Sequence, residues 1–257
     1  MFIVWGRKLV YRKQGYVADF CPICRVPSAF ELKRVGSAGH VYYVSVGEGQ
    51  LVGYERTCQT CRTPLKAEPS TYASVAHAPA ALPALQAQTF PNLTTALSER
   101  LALEERVRNA PASLTADERQ ALIRSPFLIL SPKVEKRFKT TQFDGKAALS
   151  IVAAIVLMVL GPALVSVVAP NAADVAIPVF IALGLALVIW QMMSGGRRFM
   201  KREIVPVLAR TLGPLSPTRT EIDATLQELR TAKHQIGRKL RVDDLFAQLQ
   251  APVKAHS

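Results

Sequence analysis

Residues 147–168 read AALSIVAAIVLMVLGPALVSVV, and residues 175–193 read VAIPVFIALGLALVIWQMM. Neither run holds an Asp, Glu, Lys, Arg or His. At about 1.5 Å per helical residue, about 18 such residues cross a hydrocarbon core of about 30 Å. The link between them, Ala169–Asp174 (APNAAD), can turn but is too short to fold. The pair predicts a two-helix transmembrane hairpin. A buried hairpin of a soluble protein is the alternative, and it leaves the flanks unexplained.

Those flanks are asymmetric. Lys133, Lys136, Arg137, Lys139 and Lys146 precede the pair, and Arg197, Arg198, Lys201 and Arg202 follow it. The link carries only Asp174. Basic residues near a span stay on the cytoplasmic side. Both termini are therefore expected in the cytoplasm of a bacterial-type inner membrane, with only the tip crossing. Trp190 suits the interfacial aromatic belt. Phe2–Trp5 is apolar, but Arg7 and Lys8 follow at once, so the hairpin rather than a cleavable signal is expected to direct insertion.

The chain has 257 residues, with 32 Lys plus Arg against 19 Asp plus Glu. The excess is spread: ten basic and five acidic residues in 1–68, ten and seven in 69–146, twelve and six in 197–257. Its densest clusters flank the apolar runs, where anionic lipid headgroups are the expected partner. Charge alone is weak evidence for nucleic acid.

All four cysteines fall in two pairs, Cys21-Pro-Ile-Cys24 and Cys58-Gln-Thr-Cys61. Each C-x2-C turn presents two sulfurs, and two turns make a tetrahedral thiolate site for one structural Zn²⁺. Two disulfides would need an oxidising compartment. A redox-active pair would want a helix N-terminus in a βαβ context. Four thiolates leave no open position for a catalytic zinc. The metal ligands expected are therefore Cys21, Cys24, Cys58 and Cys61, with His40 left out as a solvated loop residue. Between the pairs, Phe30–Val35, Val41–Val46 and Gln50–Arg56 read as strands, with turns at Gly36–Gly39 and Gly47–Gly49. Phe2, Val4 and Trp5 are expected to pack against this small module.

Met1–Lys8 reads MFIVWGRK. A Trp-Gly-Arg near the start, followed by a C-P-x-C knuckle, resembles a zinc-ribbon family of small uncharacterised proteins. The resemblance covers about residues 1–65. It implies zinc on the same four cysteines and is silent on activity. The longer segment between the pairs and the apolar hairpin depart from it.

The expected organisation is a small β zinc ribbon plus α: a ribbon at 1–66, a flexible Ala/Pro/Ser-rich linker at 67–91, juxtamembrane helices at 92–146, the hairpin at 147–193, and C-terminal cytoplasmic helices at 197–257. Within it, Thr94–Asn109 reads as a helix with Leu97, Leu101, Glu104 and Arg108 on one face. Thr115-Ala-Asp-Glu118 is a capping box opening a helix at 118–124. Ser131-Pro132 opens another at 133–140. Phe199–Leu212 reads as a helix interrupted at Pro206. A further helix runs from Ser216 to Ile236, with Ile222, Leu226 and Leu229 on its stripe, stopped by Gly237. Val242–Leu249 closes the chain as a short amphipathic helix. Leu226, Leu229, Leu245, Phe246 and Leu249 are expected to bury one another.

No P-loop, G-x-G-x-x-G, H-E-x-x-H or G-x-S-x-G occurs. No ionisable group sits inside the spans to mark an ion path. The expectation is a non-catalytic, membrane-anchored zinc ribbon that binds a protein partner at the cytoplasmic face. A membrane-tethered nucleic-acid-binding ribbon is the alternative, resting on Arg7, Lys8, Arg12, Lys13, Lys33, Arg34, Arg56 and Arg62.

Overall fold

The longest strand of the computed structural model lies ahead of the first cysteine. β1 (Trp5–Cys21) pairs antiparallel with β2 (Val26–Val41) along its whole length. β4 (Gln50–Cys58) lies on the other side of β2, and β5 (Pro64–Ala67) on β4, while β3 (Val44–Ser45) turns back onto the end of β2. The described residues are 5–41, 44–45, 47–139, 145–168 and 173–250. The expected packing of Phe2, Val4 and the Trp5 side chain lies outside them.

Two sequence expectations change here. Gly36–Gly39 is no turn, because β2 runs through it. Gly36 is needed for a different reason: a Cβ there would collide with the Glu48 carbonyl oxygen. The described part of Val41–Val46 is divided between two antiparallel strands, with His40 opposite Ser45 and Val41 opposite Val44.

The segment 67–91 is not a loose tether. It is ordered around the outer edge of β1. Tyr16 and Ala76 exchange backbone hydrogen bonds of 2.7 and 3.0 Å, and the Ala18 N–H donates to Thr89 Oγ1 at 2.9 Å. These bonds cover part of a strand edge that is otherwise prone to foreign pairing. Helix α1 (Leu82–Thr89) buries Leu85, which clusters with Ala18, Ala76 and Leu93 of α2 (Leu93–Ala96). Alanine and proline composition hid a few apolar anchors that suffice to dock the segment.

Helix α3 (Ser98–Asn109) follows as expected. The capping box is present: the Thr115 N–H donates to Glu118 at 3.0 Å, and the Glu118 N–H to Thr115 Oγ1 at 3.2 Å. The helix it opens, α4 (Ala116–Lys139), does not stop at Arg124. It continues through Pro126 and Pro132, replacing the two short helices expected. A buried apolar stripe, Leu122, Ile123, Phe127, Leu130 and Val134, outweighs the two hydrogen bonds that the prolines remove.

The chain forms two compact units, Met1–Ile129 with Val207–Thr218, and Leu130–Pro206 with Arg219–Ser257. The second holds α5 (Gly145–Val168) and most of the helical run that begins with α6 (Ala173–Phe199). α5 and α6 touch: Phe180 fills the space where Gly161 would carry a Cβ, and Met158 does the same at Gly184, 2.6 Å from the Cβ position. After α6, one π turn at Met200–Ile204 leads into α7 (Val205–Leu212). The Val205 N–H reaches back to Met200, just ahead of Pro206, so the wider turn absorbs the missing proline donor. The helical run Ile177–Leu215 is long and apolar enough to cross a membrane: mean hydropathy reaches 2.0 and only 7% of that window is buried. The described apolar stretch of α5, Val152–Val165, is shorter.

The same unit ends in α8 (Arg219–Thr231), α9 (Gln235–Lys239) and α10 (Val242–Gln250). Ile222, Leu226, Leu229 and Leu245 are buried as expected, while Phe246 and Leu249 are half-buried. Gly237 does not end α8. Lys233, in the left-handed region at φ 63°, does, and the His234 N–H closes the cap on the Leu229 carbonyl at 2.9 Å. Gly237 instead sits within α9, where a Cβ would lie 2.9 Å from the Leu226 carbonyl oxygen. It permits α9 to press onto α8.

Candidate metal centre

The register of the sheet brings the cysteines together. Cys21 ends β1 and Cys58 ends β4, with β2 between them and Phe30 directly opposite Cys58. Each strand then enters a tight turn carrying the second cysteine of its pair. In both turns the residue after that cysteine donates back to the first cysteine's carbonyl: Arg25 N–H to Cys21 at 2.7 Å and Arg62 N–H to Cys58 at 2.9 Å. Both arginines are left-handed, at φ 62° and 57°. The two knuckles are therefore copies of one local structure, and each carries a conformational cost of about 1 kcal/mol for a residue with a side chain.

The four sulfurs lie within 4.8 Å of one another. Cys21 Sγ is 3.6 Å from Cys61, and Cys24 Sγ is 3.9 Å from Cys58. A tetrahedral ion with sulfurs at 2.3 Å sets its ligands about 3.8 Å apart. All four are free thiols, and the separations are far beyond a disulfide bond. The Cys24 N–H points at Cys21 Sγ at 3.3 Å, a donor that favours thiolate at Cys21 once a cation is bound. Cys21 and Cys58 are fully buried, and Cys24 and Cys61 are half-buried. The group is thus compatible with holding a metal ion.

Thiol acidity is uneven across the cluster. The Cys21 hydrogen bond is the largest influence drawing Cys58 below the ordinary thiol range and bringing Cys61 to about 6. Cys21 itself is pushed up, chiefly by its hydrogen bond with Cys24. Hydrogen bonding between sulfurs lets some give up protons while others keep theirs. A divalent cation at the centre would deprotonate all four.

Sequence reasoning missed what surrounds the first knuckle. The Arg25 guanidinium is buried, with Nε 2.6 Å from Glu104 of α3. Arg100 reaches the other side of Glu104 at 2.7 Å. Arg25 Nη1 also donates to the Thr211 carbonyl at 3.3 Å, and Thr211 Oγ1 donates to the Ile23 carbonyl at 2.9 Å. The available signal was Glu104 itself, a carboxylate on the face shared by Leu97 and Leu101. A charge on an apolar face needs a buried partner.

Among the residues of the nucleic-acid reading, several are engaged internally. Arg56 is ion-paired with Asp19 and donates to the Tyr72 hydroxyl. Arg34 donates to the Glu48 and Gly49 carbonyls, both at 3.1 Å. Lys13 donates to the Tyr16 hydroxyl at 2.6 Å.

Comparison with protein-family models, curated proteins and solved structures found no match to this chain.

Proposed function

We propose that this chain is a non-catalytic, membrane-anchored zinc protein that presents its cysteine-bearing unit to a protein partner at the cytoplasmic face. The observation that carries the reading is the four-sulfur cluster, whose separations of 3.6 and 3.9 Å suit one tetrahedral ion. Zinc is the ion that an all-thiolate, closed site favours, and the resemblance of the opening residues to zinc ribbons points the same way. In this reading Cys21, Cys24, Cys58 and Cys61 hold the ion, and it contributes folding free energy rather than reactivity.

Anchoring rests on two observations. The run Ile177–Leu215 has membrane length. Apolar side chains such as Val159, Leu164, Leu183 and Trp190 are exposed on α5 and α6. Exposed apolar surface on that scale needs a cover, and acyl chains are the proposed one. We read α5 and α6 as a transmembrane hairpin with both termini cytoplasmic; its tip, residues 169–172, lies outside the described residues. Lys133 pairs with Glu203 at 2.8 Å and Lys201 with Asp244 at 2.9 Å. These pairs leave the orientation argument intact, because the rule counts basic residues and not net charge. The basic flanks are proposed to meet anionic headgroups.

Metal analysis of the purified chain tests the first half of the reading. About one zinc per chain is expected, falling to near zero in Cys58→Ser. Purified protein without metal would sink it. For topology, a cysteine introduced at Ala172 should react with an impermeant thiol reagent outside intact cells, while a terminal tag stays protected from external protease. A digested tag and a silent cysteine would reverse the orientation. Affinity capture from solubilised membranes, compared between wild type and Cys58→Ser, tests the partner: a protein retained only by the metal-loaded chain is the expected result.

A further inference from the structure

We propose that metal occupancy of the cysteine cluster controls the docking of residues 207–218, so that the first knuckle is a metal-dependent latch on the segment following α6. The inference rests on the metal reading above and concerns its regulation.

The argument starts from Arg25. Its backbone is left-handed, a conformation that glycine or asparagine adopts more readily. Arg62 occupies the equivalent place in the second knuckle, and its side chain is exposed. The turn therefore does not itself demand a long cation. What distinguishes Arg25 is where its side chain goes: it is 8% exposed, ion-paired to Glu104 and hydrogen-bonded to the Thr211 carbonyl.

Thr211 returns the interaction. Its hydroxyl, shared with the Val207 carbonyl of its own helix at 2.8 Å, donates to the carbonyl of Ile23, between the two cysteines of the knuckle. One residue of α7 thus reads both a carbonyl inside the C-x2-C turn and the side chain just after it. Leu208, Leu212 and Leu215 are buried beside it in the chain, so the whole segment is seated in the first unit. Both contacts depend on the exact path of residues 21–25. Its two ends are closed by the pairing of Cys21 with Val26 and by the Arg25 N–H bond to the Cys21 carbonyl, while the Cys24 side chain in the middle is held by the sulfur cluster. Remove the ion, and nothing covalent or coordinative keeps Cys24 against Cys58. The Ile23 carbonyl and the Arg25 guanidinium then lose their common geometry, and the Thr211 hydroxyl is left with only the Val207 carbonyl of its own helix, 2.8 Å away.

Hydrogen–deuterium exchange of the full chain in detergent micelles, with zinc and after chelation, tests this. Chelation should raise exchange in 207–215 by about tenfold or more, together with 21–25, while 122–129 of α4, in the same unit, stays protected. Thr211→Val and Arg25→Gln should keep about one zinc per chain yet show the same rise in 207–215 with zinc bound. Unchanged protection of 207–215 after proven metal loss overturns the latch, as does loss of protection across 122–129, which would mean unfolding of the whole first unit. Variants that exchange like wild type in 207–215 also overturn it. A chain that binds no metal overturns both readings, and metal analysis of the wild type separates that result from failure of the latch alone.

Discussion

The Tyr72 hydroxyl donates to the Asp19 carboxylate at 2.7 Å, tying the segment beyond β5 to the strand that ends in Cys21. The same carboxylate pairs with Arg56 of β4, so it spans β2, and its other oxygen accepts the Phe20 N–H at 2.6 Å. Arg56 lies 5.2 Å above the Phe30 ring, which is fully buried opposite Cys58. Tyr72→Phe removes one member of a buried network and should cost about 1–2 kcal/mol. Asp19→Ala should cost more, because it strands Arg56 as well. Urea unfolding followed by circular dichroism measures both, and equal costs would mean that Arg56 does not depend on Asp19.

Gly15 sits at the bulge of β1 with φ 153°, and a Cβ there would meet the Ala76 carbonyl oxygen and Val75 Cγ1, the latter at 2.6 Å. Gly15→Ala should therefore break the Tyr16–Ala76 bridge at a cost of about 1–3 kcal/mol. The expected sign is faster proteolysis between residues 77 and 83, with metal content unchanged. Wild-type cleavage rates would show that the sheet edge has room to give.

Arg62 offers the opposite effect. Its φ is 57° and its side chain is exposed, so Arg62→Gly relieves backbone strain with little packing lost. A gain of up to about 1 kcal/mol is expected. Thermal unfolding of the purified chain, wild type against variant, reads it. Destabilisation would reveal a contact made by the Arg62 side chain.

Glu118 is held down to about 2, first by its hydrogen bond from Arg106 and then by the Thr115 N–H. Because the folded value lies below that of an unfolded glutamate near 4.3, the carboxylate stabilises the start of α4 above that pH. Its contribution fades as pH falls from about 4 through about 2. Exposure and salt weaken the ion pair, so a titration of the Glu118 side chain by NMR is the proper measure. A midpoint above 4 would mean that the pair does not persist in solution.

The four-sulfur cluster was legible because two C-x2-C turns need no tertiary information to bring sulfurs into pairs. The capping box was legible for the same local reason, and the Ile222–Leu226–Leu229 stripe because burial imprints a helical period. What escaped was non-local. The first half of β1 has no buried face to impose alternation: Leu9 and Tyr11 are both exposed, and pairing with β2 is what makes it a strand. Gly36 and Gly237 were read as punctuation, yet each serves a close approach by a distant carbonyl, Glu48 and Leu226. Ser131-Pro132 reads as a helix start, and the buried stripe of α4 overrides it. Arg25 and Thr211 stand 186 residues apart, and nothing near either one announces the other.

The discontinuous first unit has a consequence for biosynthesis. Domains ordinarily fold as they emerge, from the N-terminus onward. Here the cysteine-bearing unit lacks Thr211, Leu212 and Leu215 until residue 218 has been translated. Both apolar helices, α5 and α6, emerge from the ribosome ahead of those residues. The nascent sheet must wait, incompletely closed, while the most aggregation-prone part of the chain is already exposed to whatever receives it. The order of synthesis therefore places delivery of the apolar helices ahead of closure of the cysteine unit.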